Sequence, residues 1–339
     1  MYTDFYRLKE LPFKITPDPK FLYYSASHQE ALAQMLFGVQ ARRGFVVITG
    51  EVGTGKTTLI RSLLEQLDAN TQTAYLYHAI LGGKGLFQSI CREFGIPFLK
   101  SETKTELIFN LYDFLISVSQ SGGNAALIID EAQNLKPHIL EEIRLISNLE
   151  TVNTKLIQLL LIGQPEFGQT LDRQNMRQLK QRIALRYHLQ KLDRVETEQY
   201  INHRLKVAGY IFSDPIFTPD AVAEIYTYTH GIPRSINILC DNALILGYSR
   251  EARTITPEII KKVEFEDIFA EMEAAKPTTD RDVEIKLMQP EAAPSRNMEP
   301  QPVCMTTSSF DSNGNVSLFQ KIKKKLFPFK FKKHKIAVN

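Results

Sequence analysis

A chain of 339 residues, 43% hydrophobic and 23% charged, has the length and apolar content for one large domain and a small one. Its three cysteines (Cys91, Cys240, Cys304) lie far apart without metal-ligand spacing, which excludes a disulfide framework or a zinc module and points to a reducing cytoplasm. The net charge of +3 is unevenly placed: Val316–Asn339 holds eight lysines and no acid, so residues 1–315 carry −5 and the body offers no basic face for nucleic acid.

In chain order, residues 1–24 form an N-terminal segment that mixes acidic, basic and aromatic side chains, unlike a secretory signal. Ser27-His28-Gln29-Glu30 reads as a capping box opening a helix with Ala31, Leu32, Met35, Leu36 and Val39 at helical spacing. Phe45-Val46-Val47-Ile48-Thr49 is a short apolar strand entering a glycine-rich turn, and Leu59, Ile60, Leu63, Leu64 and Leu67 mark the helix after it. Further strands are expected at 73–78, 125–129, 156–162 and 183–189, with a helix from the Thr103-x-x-Glu106 capping box through residue 118. Strands that are apolar throughout and alternate with helices predict a parallel sheet covered on both faces, an α/β core over residues 25–190.

From residue 191 the strands stop. A helix over 196–208 with Gly209 as its stop, N-cap-plus-proline starts at Thr218-Pro219 and Thr256-Pro257, and apolar Ile236, Leu239, Ala243 and Leu246 on one face predict a small all-α lid over 191–270. Residues 271–315, rich in Pro, Ser, Thr, Asn and acid, read as a disordered linker, and 316–339 as a basic amphipathic tail. No apolar run approaches the roughly 18–20 residues of a membrane-spanning helix.

The chemistry concentrates in one motif. Gly50-Glu51-Val52-Gly53-Thr54-Gly55-Lys56-Thr57, followed by Thr58, fits G-x-x-x-x-G-K-[ST], with a buried strand before it and an amphipathic helix after it. Glycines let the backbone curl so that successive N–H groups point at phosphate oxygens, and the helix N-terminus adds partial positive charge. Lys56 would reach the β- and γ-phosphates, and Thr57 would give a hydroxyl to Mg²⁺. Ala125-Ala126-Leu127-Ile128-Ile129-Asp130-Glu131 is a second element: its strand delivers Asp130 toward the metal and Glu131 toward the attacking water. The carboxylate next to the metal ligand favours hydrolysis over a small-molecule kinase role.

Gln164, just past the fourth strand, is placed to sense the γ-phosphate or the water. Arg182, chosen over Arg177 and Arg186, is the candidate arginine finger acting across a subunit boundary, a contribution of about 10³–10⁵ in rate. Arg234, in Gly231-Ile232-Pro233-Arg234, is placed to swing onto the phosphates when lid and core close.

These motifs, together with Phe5-Tyr6-x-Leu8, Pro12-Phe13, Thr16-Pro17-Asp18-Pro19-x-Phe21-Leu22-Tyr23, His28, Ile129-Asp130-Glu131-Ala132-Gln133, Leu161-Ile162-Gly163-Gln164-Pro165-Glu166 and Gly231-Ile232-Pro233-Arg234-Ser235-Ile236-Asn237, resemble the ExeA-type ATPases, also called general secretion pathway protein A. The resemblance covers roughly residues 1–265. The group is similar to ATPases of pilus and exopolysaccharide assembly and, more distantly, to TnsC/TniB transposition regulators. The resemblance implies an AAA+ core and lid that binds ATP rather than GTP with Mg²⁺. It also implies a homo-oligomer that drives assembly or remodelling of a macromolecular partner.

Secretion members continue into a transmembrane helix and a periplasmic peptidoglycan-binding domain, where this chain has the linker and lysine tail. Leu318, Phe319, Ile322, Leu326, Phe327, Phe329 and Phe331 interleave with the lysines, so a peripheral contact with the anionic inner face of the cell membrane is expected to replace the anchor. The same composition also suits nucleic acid or a solvated end. Two further readings stand beside the membrane-associated ATPase: a DNA-associated ATPase of transposition type and a non-hydrolysing nucleotide-gated scaffold.

Overall fold

Short runs, mostly apolar in the centre of the sheet and more polar at its edges, pair as strands. A computed structural model of the chain describes residues 2–77, 83–151 and 154–263. It has five strands, β1 (Phe45–Gly50), β2 (Thr71–Leu76), β3 (Asn124–Ile129), β4 (Gln158–Gly163) and β5 (Ile183–Leu189), all parallel in the order β2-β3-β4-β1-β5. The helices in chain order are α1 (Tyr2–Phe5), α2 (Ala26–Gln40), α3 (Lys56–Gln66), α4 (Lys84–Glu93), α5 (Lys104–Gln120), α6 (Pro137–Ile146), α7 (Pro165–Leu171) and α8 (Arg177–Lys180). They are followed by α9 (Arg194–Val207), α10 (Pro219–Thr229), α11 (Pro233–Ser249) and α12 (Pro257–Lys262). The α/β core predicted from the alternating pattern is therefore present. His78 of the second expected strand, the end of the lid beyond residue 263, the linker and the tail lie outside the described residues.

The central strands are buried on both faces. Val46, Ile48, Ala126, Ile128, Leu160 and Ile162 pack with Leu32, Met35 and Leu36 of α2 and with Leu59, Ile60 and Leu63 of α3. Phe45, Val47, Leu127, Leu159 and Leu161 face the opposite layer of α4, α5, α6 and α7. Register levels the strand ends: Thr49 lies opposite Gly163, and Leu161 opposite Ile129. Gly50, Asp130 and Gln164 thus emerge along one rim, the crevice at which open α/β sheets bind ligands.

Helix starts follow local chemistry. The capping box of Thr103 and Glu106 is made in both directions. At α2 the N-cap is Ser25 rather than Ser27; its hydroxyl accepts from the His28 N–H, while Ser27 turns to Tyr187 and to the Gln190 N–H. Burial of Ser25 against the core, which local spacing does not reveal, moves the start two residues upstream.

Where the chain passes from β5 into the lid (α9 to α12), it meets the turn between α10 and α11 at a tight approach. Leu192, between β5 and α9, donates its N–H to the Gly231 carbonyl at 3.0 Å, and a Cβ at Gly231 (φ +73°) would lie 1.8 Å from the Leu192 carbonyl oxygen. Gly231→Ala is therefore expected to cost at least about 2 kcal/mol, through both clash and left-handed backbone. A urea-unfolding midpoint equal to that of the wild type would contradict the close approach.

Candidate functional site

Gly50-Glu51-Val52-Gly53-Thr54-Gly55 curls between β1 and α3 with Gly53 at φ +81° and Gly55 at φ +96°, conformations that glycine adopts without steric cost. Gly55 is the N-cap of α3 and supplies no side-chain bond, so the first N–H groups of this helix are left for an anion. Lys56 is 7% exposed and its Nζ donates to the carbonyls of Gly50 at 2.8 Å and Glu51 at 2.9 Å. Burial pushes its pKa down, and the charges of Glu131, Asp130, Glu51 and Glu166 oppose that shift. A buried ammonium resting on carbonyls at the mouth of a helix suits a phosphate.

Across the rim, Asp130 is 1% exposed. It accepts from the Thr57 hydroxyl at 3.0 Å, the Tyr75 hydroxyl at 3.2 Å and the Glu131 N–H at 2.9 Å. Burial nevertheless raises its pKa, against those donors and with the help of Glu131. Among the described residues no group of three or more His, Cys, Asp and Glu could hold a metal alone. A pair of hard oxygen donors, completed by phosphate and water, fits Mg²⁺, which keeps several such ligands. The residues therefore fit both groups that the motif implies.

Glu131 takes a left-handed backbone (φ 53°), which a non-glycine residue holds only when its surroundings enforce it. Its carboxylate accepts from the Gln133 side-chain amide and, at 3.3 Å, from that of Gln164. Gln133 also accepts the Gln164 backbone N–H at 3.0 Å, so it bridges the ends of β3 and β4. Nothing in the spacing of the sequence distinguishes Gln133 from other loop glutamines; only the fold aims it.

All the predicted nucleotide residues from Val52 to Thr58, with Glu131, Gln164 and Arg234, line one cleft of about 640 Å³. Gly50, Glu51 and Asp130 do not line it themselves and join it through their bonds to Lys56 and Thr57. Arg234 is held there by its backbone: its N–H donates to the Gly53 carbonyl at 3.1 Å, clasping lid to loop. Arg182 is not in this cleft; it donates to the Ser147 hydroxyl at 3.4 Å beyond the end of α6. Arg186 pairs with Asp172, and Arg177 is exposed.

The cleft has a second wall for which the sequence reading assigned no role. Ile15, Pro17, Phe21, Leu22 and Tyr23 of the N-terminal segment line it together with Tyr200 of the lid, whose ring packs edge-on against that of Tyr23. Arg204 of α9 holds that segment by donating to the carbonyls of Pro12 and Lys14 and lying 4.8 Å above the Phe21 ring. The Pro-Asp-Pro-x-Phe-Leu-Tyr run was the available signal, since apolar and aromatic residues at one end of a polar cleft suit a flat base.

Two histidines have their pKa lowered: His28, buried at the cleft wall, and the half-buried His203. Burial pushes His28 down to about 4, and burial with the Arg204 and Lys206 charges lowers His203. Between about 4 and 6.5 the unfolded chain binds protons that the folded chain does not, so stability present above 6.5 is lost as pH falls through that window. For His28 the loss approaches about 3 kcal/mol. Urea midpoints measured from pH 7 to pH 4.5 should fall, and the fall should be shallower in His28→Gln.

Residues 39–171 match the family described as AAA domain. Over 256 residues the chain is 46% identical to the general secretion pathway protein A of Aeromonas hydrophila, a match covering 75% of this chain and 46% of that protein. The chain thus spans about half the length of that relative. The resemblance drawn from the motifs holds. Similar solved structures include the ORC2 protein of Aeropyrum pernix in ADPNP–ADP complexes, with TM-score 0.57, 16% identity, and coverage of 76% of this chain and 72% of that one. Another is Cdc6p of Pyrobaculum aerophilum, with TM-score 0.56, 17% identity and coverage of 81% and 74%. At these identities both bear on the fold alone: a P-loop AAA+ core.

Proposed function

We propose, from the match of residues 39–171 to the AAA domain family, that the chain is a magnesium-dependent ATPase that works as a homo-oligomer on a macromolecular partner. The observation that carries the reading is the convergence of a phosphate-binding helix start, the Thr57–Asp130 pair and the Glu131–Gln164 pair on one rim. Backbone N–H groups of residues 53–57 bind the phosphates, and Lys56 exchanges its carbonyl partners for their oxygens. Thr57 and Asp130 would hold the metal, which would neutralise phosphate charge. Glu131 accepts the proton of the attacking water, which Gln164 orients. Arg234, already hydrogen-bonded to the loop through its backbone, completes the phosphate site from the lid. The base lies toward the Pro17, Phe21 and Tyr200 end of the cleft.

A carboxylate poised for proton transfer favours turnover over a non-hydrolysing scaffold. Arg182, outside the cleft of its own chain, would serve a neighbouring copy. The similarity to general secretion pathway protein A supports a role in envelope assembly, whether secretion, pilus or exopolysaccharide. We expect Lys56→Ala to weaken ATP binding at least a hundredfold, roughly the cost of losing a buried charged hydrogen-bonding partner. Glu131→Gln should bind ATP yet lower kcat by about 10²–10⁴. Nucleotide titration and phosphate release test both, and normal turnover in Glu131→Gln would remove the base from the scheme.

Among the described residues no helix is long and apolar enough to cross a membrane. The lysine-rich end at 316–339 is proposed to lie on an anionic membrane surface at the inner face of the cell membrane, each lysine contributing about 1 kcal/mol. The full chain should co-sediment with anionic vesicles at physiological salt and lose most of that binding when truncated after residue 315. Equal sedimentation of both forms would rule this role out.

A further inference from the structure

His28 sits on the first turn of α2, 3% exposed, directly behind the phosphate loop. Its Nε2 lies 2.9 Å from the Thr54 carbonyl and its Nδ1 lies 2.8 Å from the Ser25 hydroxyl. A carbonyl only accepts, so Nε2 carries the proton and donates; Nδ1 then accepts, and the Ser25 O–H is its donor. The Ser25 oxygen in turn accepts the His28 backbone N–H at 3.3 Å. The donors and acceptors of this buried relay run in a single consistent direction, with the ring neutral.

The relay ends on one peptide of the loop. The chain has no cis peptide bond among its described residues, and in a trans peptide the C=O and the N–H point in opposite directions. Holding the Thr54 carbonyl back against α2 therefore turns the N–H of Gly55 the other way. The ring is also wedged close under Gly55, where a Cβ would lie 3.2 Å from Nε2. Without that bond the glycine-flanked peptide Thr54–Gly55 is free to flip, because glycine tolerates either orientation.

We infer that His28 is a positioning residue of the phosphate loop: by donating to the Thr54 carbonyl it aims the Gly55 N–H at the triphosphate. The inference rests on reading Gly50 to Thr57 as a phosphate site. It assigns a purpose to a buried histidine at the cleft wall whose two ring nitrogens are taken up by Thr54 and Ser25. It also explains why a polar ring occupies a position that an apolar residue would otherwise fill.

The test compares His28→Ala and His28→Gln, whose amide can replace the Nε2 donor, with Lys56→Ala as a control. Titration with ATP should give a dissociation constant about tenfold weaker for His28→Ala, the scale of one hydrogen bond to a charged ligand. His28→Gln should recover most of it, and KM should rise more than kcat falls. Wild-type affinity in His28→Ala, or no recovery in His28→Gln, overturns the inference. Should His28→Ala not fold, the tautomer read by ¹⁵N NMR in the wild-type chain decides: Nε2–H supports the inference and Nδ1–H overturns it. If Lys56→Ala binds ATP normally, the phosphate-site reading itself fails, a result separate from either outcome at His28.

Discussion

The Thr57 hydroxyl donating to Asp130 at 3.0 Å joins two elements that do not touch as strands, since β4 lies between β1 and β3. That contact exists because register levels the strand ends, and it places a buried carboxylate across from a buried ammonium. Both groups bear the cost of leaving water: burial raises the pKa of Asp130 and lowers that of Lys56. An interior that keeps two such groups is organised for ligands of opposite sign, a dication at one and a phosphate at the other.

The amide bridge around Glu131 extends the same logic along the rim. A left-handed glutamate is retained because Gln133 links its carboxylate to the backbone that leaves β4. Strand spacing thereby becomes side-chain geometry: a shift between β3 and β4 would move Glu131 relative to Gln164. A half-buried polar network of this kind gains rigidity when its members are paired.

The N-terminal segment joins core and lid in one strap. Tyr2 bonds Asp241 and Tyr6 donates to the Ala252 carbonyl, fastening its start to the lid. Arg61 of α3 donates to the Pro17 carbonyl at 2.6 Å, fastening its end to the core. Any change of angle between lid and core must carry this strap with it, and the strap forms one wall of the cleft. The strap thus ties the lid, the core and one wall of the cleft together in a single chain.

Local pattern alone determined the parallel core, the phosphate loop, the β3 carboxylates and the proline starts of the lid helices. Each of these is encoded over a few adjacent residues: continuous apolar runs, a glycine spacing, a cap. The start of α2 was misplaced by two residues because Ser25 and Ser27 are both competent caps, and only burial separates them. The amphipathic helices α4 and α6 were not foreseen. The tertiary fold decided what sits opposite what: the N-terminal wall of the cleft, the Gln133 bridge, the Tyr75 hydroxyl on Asp130 and the ring of His28 behind Gly55. Those contacts join residues tens to nearly two hundred positions apart, and neither periodicity nor spacing can carry information over such separations. They arise only when sheet register and lid closure bring distant segments to one rim.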